Sequence, residues 1–409
     1  MMSILTADAK LKENKGNALA IGKEAREAKA KNPSVIDSTI GMLFDEDGSF
    51  FTFNSVEKAS QELTGRQKYS YGSTAGDPAY HEALYKWIFR EYLDDILKGC
   101  HLRCVATPGG SGAICNTFSN YLNHGDKVLL PELMWTNYIQ IAREEHLGYE
   151  TYSLFNKDGG FDLEDFKAKC LAHKNSQQRI LAVINDPCQN PTGYSMSYEE
   201  WEAIIDILNN LSADGTPIVL LYDMAYVDYD KRGFEASRKN ISLFKDLNES
   251  VITILAFSGS KTLGLYGLRI GAQIALAKTK EAADEFLNAN DFSARGKWSG
   301  TSTLGQNLIT KVLTEYKDEF ASELEYARKL LITRANTFIE SAKACGLKHY
   351  PYDCGFFVTI PCENSQEVFE KLKTKGLYIL PLKQGIRLTL SSISVEEVKK
   401  AVCIIKETL

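Results

Sequence analysis

Four short apolar runs, separated by segments with helical periodicity, constrain the fold of this chain more than any other feature. They are residues 127–131, 179–185, 217–222 and 251–257, which place Val, Ile and Leu on consecutive positions. Strands of a parallel sheet covered on both faces have this pattern, because neither face meets water. The intervening segments carry helix-start signals, such as the capping box of the sequence SYEE at residues 197–200. The alternation predicts an α/β domain with a mostly parallel sheet.

The pattern changes near residue 300. A long helical stretch over 304–345 is followed by strand-like segments and one more helix, which predicts a smaller α+β unit. We therefore expect three parts: an N-terminal segment, 1–50, that belongs to the small domain; a large ligand-binding domain, 51–300; and a small C-terminal domain, 301–409. Since no flexible linker separates them, we expect the parts to pack closely.

Composition and charge argue against several classes of protein. The 409-residue chain has a net charge of −6, which disfavours nucleic acid or an anionic membrane as the main partner. No apolar run approaches the ~18 residues of a spanning helix, and the first residues lack the features of a signal peptide. Nine scattered cysteines fit reduced thiols in a cytoplasmic protein, and the six histidines are too dispersed to predict a metal site.

Lys261 and Arg269 carry the strongest chemical signal. They lie in FSGSKTLGLYGLRIG, directly after the run 251–257, and Ser258 and Ser260 precede the lysine. A lysine becomes nucleophilic near neutral pH in a desolvated pocket with other cations, and an arginine beside hydroxyl groups suits a phosphate. The alternative for the lysine alone is an ordinary surface residue after a strand.

Three more clusters follow predicted strands, where ligands of open α/β sheets gather. A Gly-rich loop with Gly110 and Ser111 precedes a helix and would let the backbone approach an anion. Asn190 lies in NDPCQNPTG. The alternative for this segment is a plain turn, because Asn-Pro and Thr-Gly are turn formers. Asp223 directly follows the run 217–222, and Tyr226 lies three residues further on. The alternative for this aspartate is a helix cap.

Taken in order, these motifs resemble those of the fold type I aminotransferases, which use pyridoxal 5'-phosphate (PLP). The order is a Gly-rich loop, Asn-Pro-Thr-Gly, Asp-x-x-Tyr, and Ser-x-x-Lys with an arginine eight residues after the lysine. Within that family the chain looks most like class I, the branch of aspartate and aromatic aminotransferases, from Gly41 to Arg387. The resemblance implies the PLP-transferase fold of type I, in which a large domain with a mostly parallel seven-stranded sheet between helices joins a smaller α+β domain.

The resemblance also implies a role for each matching residue. Lys261 would bind PLP as an imine and later move the substrate proton, Asp223 would pair with the pyridinium nitrogen, and Tyr226 with Asn190 would hydrogen-bond the ring hydroxyl. The residues that would hold the phosphate are Gly110, Ser111, Ser258, Ser260, Arg269 and, from the neighbouring subunit of a homodimer, Tyr71. Those that would contact substrate are Gly41, Trp135, Asn190 and Arg387. Trp135 would also stack on the ring, and its alternative is a core tryptophan.

One departure from the family bears on the substrate. Aspartate aminotransferases carry a second arginine for the side-chain carboxylate, and its expected position here holds Asn307, in RGKWSGTSTLGQNL. A neutral amide cannot replace a bidentate cation. Arg295 and Lys297 could substitute for it, whereas Trp298 would suit an aromatic pocket. We therefore expect an aminotransferase for L-amino acids with aromatic or other bulky side chains, with a 2-oxo acid such as 2-oxoglutarate as acceptor and a ping-pong cycle.

Other functions remain open at this stage. An aspartate aminotransferase and a PLP-dependent C–S β-lyase use the same fold, and the lysine machinery alone does not decide which bond breaks. A ligand sensor or transcription factor would need a DNA-binding module, for which the first 50 residues leave no room. A generic α/β protein with accidental motifs would fail to bind PLP.

Overall fold

The structure is a computed structural model that describes residues 4–10, 12 and 18–409. Its strands, in chain order, are β1 Ile36–Asp37, β2 His101–Thr107, β3 Lys127–Pro131, β4 Gly148–Tyr152, β5 Ile180–Asn185, β6 Ile218–Asp223, β7 Val251–Ser258, β8 Gly271–Ala277, β9 Phe357–Pro361, β10 Leu377–Tyr378, β11 Leu380–Leu382 and β12 Gly385–Thr389. Three sheets form from these strands, and two strands of the largest lead to Asp223 and Lys261.

The central sheet has seven strands in the order β2-β8-β7-β6-β5-β3-β4. Strand β8 runs antiparallel to both of its neighbours, and the pairs among β3, β4, β5, β6 and β7 are all parallel. Every residue of β5 and β6 is buried, as the continuous apolar runs predict. The α/β architecture with a mostly parallel seven-stranded sheet is therefore confirmed.

Seventeen α-helices accompany these strands in the described chain. In order they are α1 Ala7–Lys10, α2 Ala18–Lys31, α3 Asn54–Glu62, α4 Gly65–Tyr69, α5 Pro78–Phe89, α6 Leu93–Gly99, α7 Gly109–Tyr121, α8 Asn137–Glu144, α9 Leu163–Gln177, α10 Tyr198–Ser212, α11 Phe234–Ser242, α12 Gly259–Thr262, α13 Lys280–Lys297, α14 Thr303–Thr314, α15 Lys317–Cys345, α16 Ser365–Thr374 and α17 Val395–Thr408. Within the described ranges, none of these helices combines the length and the apolar character that crossing a membrane requires.

Two smaller sheets lie near the chain ends. Strands β11, β12 and β9 form an antiparallel sheet, and β1 pairs in parallel with β10. The second pairing joins Ile36 to Leu377 and Asp37 to Tyr378. Residues 36–37 are therefore tied to the C-terminal part of the chain and not to the central sheet.

The helical stretch expected over 304–345 is two helices, which corrects that prediction. Helix α14 ends at Thr314 and α15 begins at Lys317. Between them Tyr316 leaves helical geometry, with φ −109° and ψ 14°. Its hydroxyl donates to Glu62 at 2.6 Å. This contact is made with another helix, so local periodicity could not reveal the break.

Candidate active site

Three parallel strands end side by side and bring their polar termini together. Asn185 at the end of β5 pairs with Asp223 at the end of β6, and Asp223 pairs with Ala256 near the end of β7. Strand β7 leads directly into α12, which carries Lys261. The carboxyl edge of the sheet thus places an acid and an amine on adjacent loops, as expected for an open α/β fold.

Lys261 presents its amine to the segment that follows β1. Its Nζ donates to the carbonyl oxygen of Gly41 at 2.5 Å. Burial, and then the positive charges of Arg387 and Arg269, lower the pKa of this lysine to about 7. A Cβ atom on residue 41 would lie 2.4 Å from Cζ of Phe357, so only glycine fits there. The amine is therefore largely available as a nucleophile near neutral pH.

Aromatic rings enclose the same amine. Nζ of Lys261 lies 4.9 Å from the ring centre of Tyr266, 5.3 Å from Phe356 and 5.6 Å from Tyr226. The hydroxyl of Tyr266 accepts a hydrogen bond from the backbone N–H of Leu43 at 3.0 Å, which ties the ring to the N-terminal segment. These rings exclude water from the amine, which is the cause of its lowered pKa.

Asp223 is a buried carboxylate with a partner on each oxygen. The hydroxyl of Tyr138 donates to Oδ2 at 2.5 Å, and the backbone N–H of Ala225 donates to Oδ1 at 3.1 Å. Burial raises the pKa of Asp223 above its ordinary value, and these two donors counteract the rise. Asn185 donates to the carbonyl oxygen of Asp223 at 2.8 Å, which fixes its backbone. The aspartate is thus held to accept a further donor or cation.

A phosphate-sized cradle lies at the N-terminus of α7. Gly109 has a positive φ of 68°, and a Cβ there would lie 2.9 Å from Nη2 of Arg269. A Cβ on Gly110 would lie 3.6 Å from Cβ of Ser258, so the serine that ends β7 faces the same turn. Nη1 of Arg269 donates to Oγ of Ser260 at 3.1 Å. A helix N-terminus, an arginine and two hydroxyl groups together form an anion site. Ser111 occupies the first turn of the same helix.

Arg387 lies on β12 and reaches toward both loops. Nη1 donates to Oδ1 of Asn190 at 3.2 Å and Nη2 to the carbonyl oxygen of Thr39 at 2.9 Å. The guanidinium carbon lies 4.1 Å from the ring centre of Phe357. Its Nε is buried and has no hydrogen-bond partner among the described residues. A buried donor without a partner favours the binding of an acceptor such as a substrate oxygen.

Trp135 and Tyr71 differ in their surroundings in the single chain. Trp135 packs edge-on against Tyr138, with ring centres 5.5 Å apart, so it borders the acid through that tyrosine. Tyr71 is fully exposed. An exposed tyrosine on a loop is compatible with a role in a neighbouring subunit.

The segment 295–307, which the sequence associates with the substrate side chain, is held mainly by contacts with distant parts of the chain. Nδ2 of Asn307 donates to the carbonyl oxygen of Gln67 at 2.9 Å and of Thr303 at 3.1 Å. Lys297 forms an ion pair with Glu145 at 2.9 Å.

Arg295 is exposed, and its guanidinium donates to Oγ of Ser299 at 2.8 Å. Trp298 is partly buried, and its Nε1 has no partner among the described residues. Of the two cations considered as substitutes for a substrate-binding arginine, Lys297 is therefore paired with a carboxylate, whereas Arg295 has no ion pair among the described residues.

Sequence reasoning missed four aromatic residues of this centre: Tyr138, Tyr266, Phe356 and Phe357. Tyr266 lies between Lys261 and Arg269 in the strongest motif, and the phenylalanines adjoin Gly355 in CGFFVTIP. An aromatic residue within a catalytic motif is a usable signal. Tyr138 offered only its position three residues after Trp135, one helical turn away.

Comparison with known proteins agrees with this geometry. The family model for aminotransferase class I and II matches residues 35–405, and the chain belongs to that family. It is 28% identical to the aromatic-amino-acid aminotransferase of Paracoccus denitrificans over 72% of each chain. It is 27% identical to the mitochondrial aspartate aminotransferase of Saccharomyces cerevisiae over 71% of this chain and 70% of that one.

Solved structures give the same result. An aminotransferase from Anaerococcus prevotii has a TM-score of 0.94 and 29% identity, covering 99% of both chains. The aromatic-amino-acid aminotransferase of Burkholderia pseudomallei, determined with covalently bound pyridoxal phosphate, has a TM-score of 0.80 at 21% identity and covers 100% of both chains. At that identity the second likeness concerns the fold alone. The resemblance to class I of the fold type I aminotransferases is confirmed.

Membership of the family makes the chain a PLP-dependent transaminase that transfers an amino group from an amino acid to a 2-oxo acid. The residues present fit this cofactor. The amine of Lys261, the carboxylate of Asp223 and the anion cradle beside Arg269 supply the three kinds of group that PLP needs.

Proposed function

We propose that this transaminase prefers L-amino acids with aromatic or other bulky side chains and uses 2-oxoglutarate as amino acceptor. The observation that carries the preference is the set of rings around Nζ of Lys261, from Tyr226, Tyr266 and Phe356. Aromatic faces favour the burial of an apolar side chain, and these three rings supply no cation to pair with a second carboxylate. The neutral Asn307, which is occupied by backbone carbonyls, supports the same preference.

The residue roles follow from the chemistry of each group. Bound at this site, PLP supplies an electron sink for the charge that develops at substrate Cα. Lys261, with its lowered pKa, accepts the proton from Cα and returns it during the transfer. Asp223 holds the ring nitrogen in its protonated form. Tyr226 and Asn190 hydrogen-bond the ring hydroxyl.

Other residues position cofactor and substrate. The residues that would hold the phosphate are Gly110, Ser111, Ser258, Ser260 and Arg269, and Trp135 would stack on the ring. Arg387 binds the substrate carboxylate through a guanidinium that Asn190 and Thr39 already orient, beside the backbone of Gly41. A preorganised guanidinium loses little freedom when substrate arrives, which favours binding.

A homodimer with shared active sites is part of this proposal, as is a cytoplasmic location. Tyr71 is fully exposed in the single chain, which supports a contact with the phosphate of the neighbouring subunit. Complementation tests it: neither a Tyr71→Ala nor a Lys261→Ala preparation should be fully active alone. A mixture refolded together should regain activity, because one site of each mixed dimer is then intact. No gain on mixing would contradict shared sites. All nine cysteines are free thiols, which supports the location.

The division of the chain into parts is also proposed. Residues 1–50 and 301–409 would form the small domain, and 51–300 the large one. The pairing of β1 with β10 supports the assignment of the N-terminal segment. Limited proteolysis that cut first near residues 50 and 300 would agree with these boundaries.

The substrate preference is tested by single-turnover absorbance with purified holoenzyme. Phenylalanine or tyrosine should convert the visible band of the bound cofactor to the near-ultraviolet form, and 2-oxoglutarate should restore it. Preference for aspartate over both would overturn the proposal and favour the second candidate, an aspartate aminotransferase. That candidate draws on the exposed Arg295, so Arg295→Ala should then abolish aspartate turnover alone. Release of ammonia and pyruvate from cysteine-type substrates, without an acceptor, would indicate the C–S β-lyase.

A further inference from the structure

A second group of buried contacts holds the backbone around Lys261. The hydroxyl of Tyr229 donates to the carbonyl oxygen of Lys261 at 2.9 Å. The hydroxyl of Thr262, the next residue, donates to Oδ2 of Asp228 at 2.7 Å. Asp228 and Tyr229 belong to the short 3-10 turn Val227–Tyr229, which directly follows Tyr226. One turn of the chain thus holds the lysine backbone and carries a ring that faces the lysine amine.

The carboxylate of Asp228 is itself fixed by a buried arginine. Nη2 of Arg238 donates to Oδ1 of Asp228 at 2.5 Å, and Nη1 donates to the carbonyl oxygen of Val227 at 3.0 Å. Arg238, Asp228 and Thr262 are each at most 1% exposed. Nε1 of Trp87 lies 3.4 Å from Oδ2, so Thr262 is the stronger of the two donors to that oxygen.

The helix that bears Lys261 cannot hold the lysine by itself. Helix α12 has four residues, Gly259–Thr262, and begins with a glycine. A single helical turn gains too few hydrogen bonds to offset the loss of backbone freedom, so its position depends on outside contacts. The contacts from Asp228 and Tyr229 meet the end of this helix.

Stability alone does not account for an ion pair at this place. A buried pair of charges loses its hydration, and a well-packed apolar pair of similar volume is often as stable or more so. The ion pair fixes the orientation of the Asp228 carboxylate, so that its other oxygen accepts a hydrogen bond from one defined direction. The donor in that direction is the residue next to the lysine.

We propose that Asp228, oriented by Arg238, acts through Thr262 as a positioning residue for Lys261. The proposal rests on the catalytic role of Lys261 given under Proposed function. Among the described residues, the carboxylate of Asp228 accepts hydrogen bonds from Arg238, Thr262 and Trp87, none of which is assigned to the cofactor. Its effect is to hold the helical turn that bears Lys261 in one position, so that the amine returns to the same place in each half of the cycle.

The test uses Thr262→Val, which keeps the side-chain volume and removes the hydroxyl, in the purified holoenzyme. We expect kcat to fall about tenfold, the factor that corresponds to a hydrogen bond to a charged group, while KM changes less than twofold. In the apoenzyme, the pH midpoint of cofactor incorporation should rise, because a displaced amine leaves the desolvated, cation-rich position that lowers its pKa. Thr262→Ser, which restores the hydroxyl, should recover both properties.

Thr253→Val is the matched control. Thr253 is a buried threonine on β7, the same strand that leads to Lys261, and its hydroxyl has no hydrogen-bond partner among the described residues. This variant should keep the wild-type kcat and pH midpoint. If Thr262→Val fails to fold, Tyr229→Phe removes the other contact, to the carbonyl oxygen of Lys261, and should give the same pair of effects.

The outcomes separate this inference from the function on which it rests. Wild-type kcat and midpoint in both Thr262→Val and Tyr229→Phe would overturn the positioning role. A lower melting temperature without a change in either property would do the same. The Lys261→Ala variant tests the underlying assignment: a visible cofactor band that survives this change would refute the role of the lysine itself.

Discussion

Replacing Tyr138 with phenylalanine removes one hydroxyl and leaves the ring that packs against Trp135. The hydroxyl donates to Oδ2 of Asp223 at 2.5 Å, and both side chains are buried, so water cannot take its place. A hydrogen bond to a charged group contributes about 1.5–3 kcal/mol. Its loss should raise the pKa of Asp223 further, because the bond from Tyr138 counteracts the effect of burial. Where the raised pKa leaves the carboxyl group protonated, it cannot pair with the ring nitrogen as a carboxylate, and the dissociation constant for PLP should rise by up to about 10- to 100-fold.

The assay is a titration of apoenzyme with PLP, followed by absorbance at several pH values between 6 and 9. The deficit of the Tyr138→Phe variant should shrink as the pH rises, because the carboxyl group then loses its proton in either enzyme. Tyr152→Phe is the control, since Tyr152 is equally buried and its hydroxyl donates to the carbonyl oxygen of Val183 at 2.9 Å. It should lose stability without losing affinity. A Tyr138→Phe enzyme that binds PLP within twofold of the wild type at every pH would refute the reasoning.

Three further predictions concern other parts of the structure. Cofactor incorporation into apoenzyme should rise with pH around a midpoint near 7, since burial and then the charges of the arginines lower the pKa of Lys261. Arg387→Gln should raise that midpoint. A midpoint unchanged in this variant would exclude the charge of Arg387 as a cause of the lowered pKa. Gly41→Ala should lower kcat at least about tenfold and reduce Tm, because its Cβ would lie 2.4 Å from Cζ of Phe357; kinetics and thermal melts check both. Burial raises the pKa of Asp186 from its ordinary value of 3.8 to about 7. Between these pH values the native carboxyl group keeps a proton that the unfolded chain has lost. The free energy of unfolding therefore falls as the pH rises from about 4 to about 7. Asp186→Asn should lack this slope in Tm between pH 4 and 8, and equal slopes would contradict the assignment.

The strands that the sequence revealed are those whose environment is uniform. Strands β5 and β6 are covered on both faces, and their continuous apolar runs made them predictable. Two strands of the same sheet gave no such signal. Strand β4, GYETY, lies at the edge and is partly exposed. Strand β8 contains Gln273, a buried polar residue whose amide donates to Thr117 at 2.8 Å. Its apolar pattern is broken by a contact that only the tertiary fold supplies.

The site shows the same division. Lys261, Arg269 and Ser260 are close in sequence, so their contact could be expected from one motif. The partner of Asp223 could not, because Tyr138 lies 85 residues away and belongs to another helix. Contacts between residues close in sequence can be recognised as a motif. Contacts between residues far apart in sequence leave no such motif, and a single tyrosine in a helix is most often a core residue.

The pairing of β1 with β10 has a consequence for how the enzyme is made on the ribosome. The central sheet uses residues 101–277, so all of its strands are synthesised before the last hundred residues. Ile36 finds its partner only when Leu377 has emerged, and Gly41, which meets Lys261, follows five residues after it. A chain that stops before Leu377 would therefore lack the pairing that holds the segment leading to Gly41. We expect such truncated products to be inert.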